Sequence, residues 1–401
     1  MKIAVITNLY PPISRGGAEK VVQRVVGELV RRGHDMVVIS TMSMAGRATF
    51  TPEIKETIAE TVYRFFPFNI YHTLRDHLYP YPVRLLWHLI DLFSWSSKNR
   101  VAAILELEKP DIVLTHNLKG IGLRLPQVLN ELGLPYIHTV HDVQLSVPSG
   151  LLMYGKKMNL FERVFRRPYE TAVRWALGKP DLIISPSKFL ADFYLARGFF
   201  KNSSVKVVPN PAPDFNPGPR SENFSGTLRL LFAGQLERHK GILDLLEAIN
   251  LLEIPLELHV AGGGSLAPLF EKMAEQDRRI IYHGFVSSNN IERLLGIVDA
   301  TVMPSICYEN SPTVIYESLR SGVPVIASDI GGVGELVQHG KNGYLVEPAN
   351  AQALAQTIRK FATEVKDFHS RGEAIKASVA DYSLRFYVDR LEGLIKDVLK
   401  K

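Results

Sequence analysis

Short apolar runs alternate with longer amphipathic stretches, and this alternation occurs twice along the 401-residue chain. The apolar runs of the first series occupy residues 2–7, 36–40, 111–115, 135–140, 181–185 and 205–208. Those of the second series occupy residues 228–233, 256–261, 280–285, 300–304 and 323–327. Strands separated by helices predict parallel sheets with crossover connections. The doubled pattern therefore predicts an α/β protein with two doubly wound, Rossmann-like domains that face a central cleft.

A proline-rich stretch separates the two series and predicts the domain boundary. We expect a first domain over residues 1–208, a linker over 209–226 and a second domain over 227–380. A helical pattern at 381–401 follows the last strand and has no further strand to serve. We expect this final helix to pack back on the first domain. Ligands of such sheets bind at the carboxyl ends of the strands.

Cysteine content and hydropathy indicate the compartment. Cys307 is the single cysteine, which excludes an internal disulfide framework and favours a reducing compartment. No secretory signal is visible, and no stretch reaches the ~20 apolar residues that cross a bilayer. We therefore expect a cytoplasmic protein that is soluble or attached only to the surface of the inner membrane.

Charge is divided unequally between the two halves of the chain. Residues 1–210 hold 27 Lys and Arg against 17 Asp and Glu, whereas residues 211–401 hold 20 against 24. This excess indicates an anionic partner, either a lipid surface or a diphosphate-bearing acceptor, with solubility alone as an equal alternative.

Two segments of the basic half, 72–100 and 151–175, mix aromatic residues with cations and could lie on an anionic membrane. The cations of the second segment include Lys156, Lys157, Arg163, Arg166 and Arg167. Ordinary core helices with solvated outer faces are the alternative interpretation.

Two polar motifs of the first half follow predicted strands. Gly16 and Gly17 precede the first helix, where a glycine pair lets a ligand approach the backbone and the helix start offers amides to an anion. The alternative is a simple tight turn. His141 and Asp142 directly follow the strand at 135–140, on the expected ligand side of the sheet. A hydrogen-bonded structural histidine is the alternative there.

The second half carries a basic turn and a pair of carboxylates. Gln235, Arg238 and Lys240 lie in the first strand-to-helix turn, where cations beside a helix start suit a diphosphate. Further along, Ser311 and Pro312 predict a helix start, which places Glu309 in the preceding loop and Glu317 inside the helix. Carboxylates accept paired hydrogen bonds from sugar hydroxyls, and the amides of Thr313 and Val314 suit phosphate oxygens. Asn310 belongs to the same predicted donor-binding stretch.

Taken together, these motifs resemble the family-4 glycosyltransferases, which are retaining enzymes of the GT-B fold. The resemblance extends over nearly the whole chain. It includes the glycine loop at 16–17, His141-Asp142, the turn from Gly234 to Gly241, and two glutamates eight positions apart at Glu309 and Glu317. It also includes the glycines at 262–264, the His-Gly-Phe triplet at 283–285 and the tail motifs at 322–328 and 342–346.

The resemblance implies a role for each motif. Gly16 and Gly17 would offer amides to the donor diphosphate, and Lys240 would neutralise it. Glu309 would face the donor sugar, Glu317 the ribose, and His141 the transferred sugar. Many members of the family carry Arg at the position of Gln235. The resemblance therefore implies either that Arg238 shares the binding of phosphate here or that donor affinity is lower.

The implied activity is transfer of a hexose-type sugar from a nucleotide diphosphate sugar to a glycan or lipid-linked acceptor, as in polysaccharide or glycolipid synthesis. His141, Glu309 and Lys240 are the expected catalytic residues. No cofactor or nucleic acid is expected. No metal ion is expected either, because preorganised cations and amides can stabilise the departing diphosphate. A GT-B sugar-nucleotide epimerase is the alternative, and it would consume the sugar nucleotide without an acceptor.

Overall fold

The computed structural model describes residues 1–14, 16–43, 54–57, 59–156, 160–213, 224 and 226–401. These residues form two compact units. The first unit comprises Met1–Leu151, Lys157–Pro209 and Leu384–Lys401. The second unit comprises Leu152–Lys156 and Asn210–Ser383. Most of the predicted linker, from 214 to 223 and at 225, lies outside the described residues, as do Lys157 and the side chain of Arg163.

The described part of the first unit contains one eight-stranded sheet. Its strands are β1 (Lys2–Ile6), β2 (Asp35–Thr41), β3 (Ile54–Thr57), β4 (Thr61–Phe65), β5 (Ile112–Thr115), β6 (Tyr136–Thr139), β7 (Leu182–Ser185) and β8 (Ser204–Val207). They are ordered β3-β4-β2-β1-β5-β6-β7-β8, and all neighbours are parallel except β3 and β4. The strand order reverses at β1, which lies between β2 and β5. Such a switch point is where open α/β sheets bind their ligands.

Helices connect the parallel strands of this sheet. They are α1 (Gly17–Arg31), α2 (Tyr81–Phe93), α3 (Trp95–Glu108), α4 (Leu125–Glu131), α5 (Leu160–Leu177) and α6 (Lys188–Leu195). Helix α1 forms because buried valines and Leu29 recur at three- and four-residue steps. It ends where Gly33 adopts a φ of 84°, the left-handed conformation that is typical just beyond a helix.

The second unit contains a six-stranded sheet within the described residues. Its strands are β9 (Leu228–Ala233), β10 (Leu256–Ala261), β11 (Ile280–Tyr282), β12 (Ala300–Met303), β13 (Val325–Ser328) and β14 (Gly343–Val346). All neighbours are parallel in the order β11-β10-β9-β12-β13-β14, so the switch point is β9. The helices are α7 (Ile242–Asn250), α8 (Ala267–Gln276), α9 (Ser288–Leu295), α10 (Thr313–Arg320), α11 (Ala351–Ser370) and α12 (Gly372–Ala377).

The last helix, α13 (Leu384–Leu399), packs in the first unit against α1. Its buried face includes Val388, Leu391 and Ile395, which share one apolar cluster with the valines of α1. Arg32, at the end of α1, adds ion pairs to Asp389 at 2.6 Å and Glu392 at 3.1 Å. The sequence pattern places a helix within 381–401, and in the structure it runs from Leu384 to Leu399.

The structure confirms the predicted fold class of two Rossmann-like α/β domains and adds three strands that the apolar pattern does not indicate. Strand β4 includes the buried Arg64, so that it does not read as an apolar run. Strand β14 is four residues long and begins with glycine, and β3 is an antiparallel edge strand. In the part of the chain that the structure describes, no helix combines the length and hydropathy needed to span a bilayer.

Candidate active site

The site of the second unit begins in the connection from β9 to α7. After β9 the chain runs through a 3₁₀ turn, Arg238–Lys240, into Gly241, which has a φ of 68°. A Cβ atom at Gly241 would lie 1.7 Å from the carbonyl oxygen of Pro304, in the loop after β12. Only glycine therefore permits this close approach of the two loops. The approach brings Lys240 to the loop that carries Glu309.

Lys240 and Glu309 form a half-buried ion pair. Lys240 Nζ donates to Glu309 Oε1 at 2.7 Å, and the hydroxyl of Ser305 donates to the same oxygen at 2.8 Å. The thiol of Cys307 lies 3.8 Å from it. No hydrogen bond from the described residues reaches the other carboxylate oxygen, Oε2. Glu309 is thus held through one oxygen, which leaves the second oxygen as the acceptor for a ligand.

The ion pair fixes the charge state of this cluster. Burial alone would raise the pKa of Glu309, but the charge of Lys240 and hydrogen bonds from Lys240 and Ser305 hold it below its usual value. Burial opposes the charge of Lys240 too, yet Glu309 raises the pKa of Lys240 above its ordinary value. Burial and the neighbouring carboxylate raise the pKa of Cys307 to about 12. The thiol is therefore neutral, which agrees with a packing role.

The backbone of Glu309 is held by the loop after β13. The amide of Gly332 donates to the carbonyl oxygen of Glu309 at 2.7 Å. A Cβ atom at Gly331, where φ is 64°, would lie 2.0 Å from that oxygen. Neither glycine is a sequence-predicted site residue, and neither is Ser305. The two glycines end the motif Ser328-Asp-Ile-Gly-Gly, and a glycine pair shortly after a predicted strand is a sequence signal for such a close approach.

Helix α10 begins at Thr313 with Pro312 as its N-cap residue, so the predicted helix start is close to the observed one. The prediction that Ser311 caps this helix is wrong, because its buried hydroxyl pairs with the phenol of Tyr316 at 2.7 Å. Thr313 and Val314 occupy the first turn, where amides lack intrahelical acceptors. These amides retain the capacity to bind an anion.

The remaining predicted residues of the second unit differ in exposure. The side chains of Gln235 and Arg238 are exposed and make no hydrogen bond or ion pair with the described residues. Glu317 is half-buried within α10, and Asn310 is half-buried in the loop before it. A short segment, Leu152–Lys156, pairs with the loop ahead of Glu309: the amide of Tyr154 donates to Ile306 at 2.8 Å, and that of Tyr308 donates to Leu152 at 2.8 Å.

In the first unit, Gly16 and Gly17 lie at the start of α1, as predicted from their position after β1. Gly16 is the N-cap residue, and its amide donates to the carboxylate of Glu19 at 2.9 Å. Glu19 is buried, and its negative charge at the helix start is favourable. The amide of Gly16 is thus already engaged, whereas Gly17 occupies the first helical position.

His141 and Asp142 follow β6, and His141 contacts a histidine that the sequence analysis does not select. His141 Nε2 lies 3.0 Å from Nδ1 of the buried His116, which follows β5. Burial lowers the pKa of His141 to about 4 and that of His116 well below its usual value, so both rings are neutral near pH 7. One ring must then donate and the other accept, which couples their tautomers.

The pKa of Asp142 is raised to about 6 by burial, although the amide of Gln144 donates to its Oδ1 at 2.7 Å. The negative charge of Glu19 raises this pKa further. The helix-start loop at Gly16 and the turn at Asp142 are therefore close enough to interact electrostatically. His116 could have been noticed by its position, since it follows a predicted strand as His141 does.

Family models match both halves of the chain. The family model described as Glycosyltransferase Family 4 matches residues 15–213, and that described as Glycosyl transferases group 1 matches residues 219–377. The chain belongs to the family-4 glycosyltransferases. The fold of the chain is GT-B, as in structural neighbours that match over its whole length.

Similar proteins match this glycosyltransferase over nine tenths or more of its length. An uncharacterized glycosyltransferase of Methanocaldococcus jannaschii is 26% identical over 91% of this chain and 90% of its own length. A putative teichuronic acid biosynthesis glycosyltransferase of Bacillus subtilis is 26% identical over 91% and 90%. HepE of Anabaena, whose crystal structure was determined in complex with UDP, has a TM-score of 0.72 at 18% identity and matches over 99% and 100% of the two chains.

Proposed function

We propose that this glycosyltransferase moves a hexose from a nucleotide diphosphate sugar to a glycan or lipid-linked acceptor of cell-surface polysaccharide or glycolipid synthesis. The proposed reaction retains the anomeric configuration and uses no metal ion or cofactor. The observation that carries the proposal is the ion pair of Lys240 with one oxygen of Glu309. It combines a fixed cation for a departing phosphate with a free carboxylate oxygen for a sugar hydroxyl.

Each proposed role follows from position and charge. Lys240 and the exposed Arg238 neutralise the diphosphate, and the amides of Thr313 and Val314 bind its oxygens. Oxygen Oε2 of Glu309 accepts from the donor sugar, and Glu317 accepts from the ribose. Gln235, Asn310 and Ser311 line the same loops.

In the first unit, His141 contacts the transferred sugar and Gly17 offers a helix-start amide to the donor. Gly16 can do so only after its amide leaves Glu19. The bond from the anomeric carbon to the phosphate oxygen breaks, and its electrons stay on the diphosphate. The acceptor hydroxyl attacks from the same face, and its proton passes to the departing phosphate oxygen.

UDP-glucose is the first donor to test, because HepE of Anabaena has also been crystallised with UDP-glucose. The assay follows UDP release and glycosylated product with and without a chelator. We expect Lys240→Gln to lower kcat by about 10²–10³, since it removes a preorganised charge from the leaving group. Lys341→Gln, which changes an exposed lysine of the same unit, is the matched control and retains wild-type turnover.

Two results would contradict the proposal. Loss of turnover on chelation, restored by a divalent ion, would show that a metal neutralises the diphosphate. Conversion of the donor to an epimeric sugar nucleotide without any acceptor would identify the alternative epimerase activity.

The apolar surface of the first unit supports a further part of the proposal, attachment to the cytoplasmic face of an anionic membrane. Phe68, Leu89, Phe93 and Trp95 line one open depression of about 330 Å³ beside α2, and they are 71%, 50%, 49% and 70% exposed. Leu86, on the same helix, is 52% exposed. Exposed apolar side chains grouped in this way favour a membrane or protein contact, and the basic first half favours an anionic one.

Vesicle flotation tests this attachment. We expect the protein to bind phosphatidylglycerol vesicles in a salt-dependent way and to lose binding in the double variant Leu89→Gln, Trp95→Ser. Leu107→Gln removes a leucine that is 69% exposed outside the depression and serves as the control. Equal binding to neutral vesicles at high salt would refute the electrostatic part of this proposal.

A further inference from the structure

A basic cavity lies at the edge of the first sheet opposite to the edge that carries His141. Its volume is about 400 Å³, and it is formed by the residues just before β7 and β8 together with the ends of α5 and α6. Because β7 and β8 are parallel, the cavity lies at their amino ends. Ligands of the proposed transfer reaction are expected at the carboxyl ends. This cavity is therefore separate from the candidate active site.

Four cations line this cavity: Arg174, Lys179, Arg197 and Lys201. No carboxylate is among its lining residues in the described chain. Lys179 and Lys201 are exposed, and neither has an ion-pair partner among the described residues. The lining therefore holds more positive charge than its own residues can neutralise.

The two arginines are held in fixed orientations. Arg174 Nη1 donates to the carbonyl oxygen of Arg197 at 2.9 Å. Arg197 Nη1 donates to the carbonyl oxygen of Phe193 at 3.0 Å, and its guanidinium lies 3.6 Å from the centre of the Phe193 ring. Arg197 Nε is buried and makes no hydrogen bond with the described residues. The carboxylate of Glu170 lies 3.8 Å from this nitrogen, too far for a hydrogen bond, so the Nε–H group remains a donor that an anion can satisfy.

Negative charge near the cavity is smaller than the positive charge. Glu170 lies 3.8 Å from Arg197 and 4.0 Å from Arg174, but it also lies 3.7 Å from a fifth cation, Arg166. The carboxyl ends of α5 and α6 each contribute about half of a negative charge. These helix ends explain the presence of the arginines but not of the two lysines beyond them. Burial and the charge of Arg166 lower the pKa of Arg197, as expected where cations crowd together.

We propose that this cavity is a second anion site, which binds a phosphate or pyrophosphate group. Planar guanidinium groups and flexible ammonium groups together match the tetrahedral, multiply charged oxygens of phosphate. The group could be carried by a free phosphorylated metabolite or by a lipid headgroup. The site is independent of the transfer reaction, so it would persist if the proposed donor chemistry were wrong.

Hydrogen exchange of the intact protein, read by mass spectrometry, locates binding on the chain. Inorganic pyrophosphate at low salt is the soluble probe, and phosphatidylglycerol vesicles are the lipid probe. We expect pyrophosphate to slow exchange over residues 197–203, separately from any protection near Lys240. The double variant Lys179→Gln, Lys201→Gln should weaken this local protection about tenfold, which is what the loss of ~1.4 kcal/mol produces.

A second double variant, Lys98→Gln with Lys188→Gln, is the matched control. It removes two positive charges from the same unit, but both of its lysines already pair with carboxylates outside the cavity. Protection that persists in the control and falls in the cavity variant supports the site. Protection by vesicles as well as by pyrophosphate, or by vesicles alone, also supports it and assigns a lipid headgroup as the source. Absence of local protection by either probe, or an equal loss in both variants, overturns it.

Discussion

At the scale of single residues, the position of Glu309 depends on Gly331, whose lack of a side chain lets it lie close to the Glu309 backbone. Gly331→Ala would place a Cβ atom 2.0 Å from the carbonyl oxygen of Glu309, in a left-handed conformation that already disfavours alanine. We expect this substitution to displace Glu309 and to lower kcat even at temperatures at which the variant remains folded. Turnover and thermal unfolding should be measured on the same preparation.

Gly340→Ala separates the two effects in that experiment. Gly340 also has a left-handed φ, 78°, but nothing lies within 4 Å of its Cβ position. It therefore imposes similar backbone strain without the contact to Glu309. Equal activity losses in Gly331→Ala and Gly340→Ala would show that the contact does not position Glu309.

Individual residues also show which parts of the candidate site can be predicted from the sequence and which cannot. Residue type and position relative to predicted strands are enough to make Lys240, Glu309 and His141 candidates. The pairing of Lys240 with Glu309 depends on a contact between residues 69 positions apart. The contact of His116 with His141 likewise joins two strands, so no local pattern could predict it.

At the scale of secondary structure, helix α13 shows how an apolar periodicity in the sequence relates to packing in the structure. Its partner follows from burial, because the apolar face that includes Val388, Leu391 and Ile395 completes the cluster beneath α1. Short strands behave differently. The buried Arg64 interrupts the apolar pattern of β4, and its guanidinium instead donates to the carbonyl oxygen of Tyr10 at 2.9 Å.

Burial of α13 leads to a prediction about stability. Ile395 is fully buried, so Ile395→Ala should lower the free energy of unfolding by about 2–5 kcal/mol through lost burial and a residual cavity. Leu399→Ala shortens a side chain that is 40% exposed on the same helix and should cost much less. Chemical denaturation measures both. Similar values for the two variants would contradict the packing of α13 as a structural part of the first unit.

At the scale of the whole molecule, buried ionisable groups link folding to pH. Burial lowers the pKa of seven histidines among the described residues: His72, His88, His116, His138, His141, His259 and His283. In the unfolded chain these rings gain protons near pH 6.5, whereas the folded protein resists protonation. Stability therefore falls as the pH decreases below ~6.5.

Two buried carboxyl groups act in the opposite direction. Burial raises the pKa of Asp91 to about 7 and that of Asp142 to about 6. Below these values the folded protein binds protons more readily than the unfolded chain, so these groups favour folding as the pH decreases. The histidines are more numerous, and the net expectation is a loss of stability on acidification.

His138 provides the decisive variant, because it is buried beside Thr115 and its pKa is lowered to about 3. While it stays neutral in the folded protein, it adds about 1.4 kcal/mol per pH unit to the slope of unfolding free energy between pH ~6.5 and that value. We expect His138→Gln to reduce this slope between pH ~6 and ~4.5, a window just below the ordinary histidine pKa of ~6.5. Urea denaturation at several pH values measures it. His339→Gln, which removes a histidine at an exposed position, is the matched control. An unchanged slope in His138→Gln would mean that this ring is protonated in the folded protein, and that burial does not set its charge.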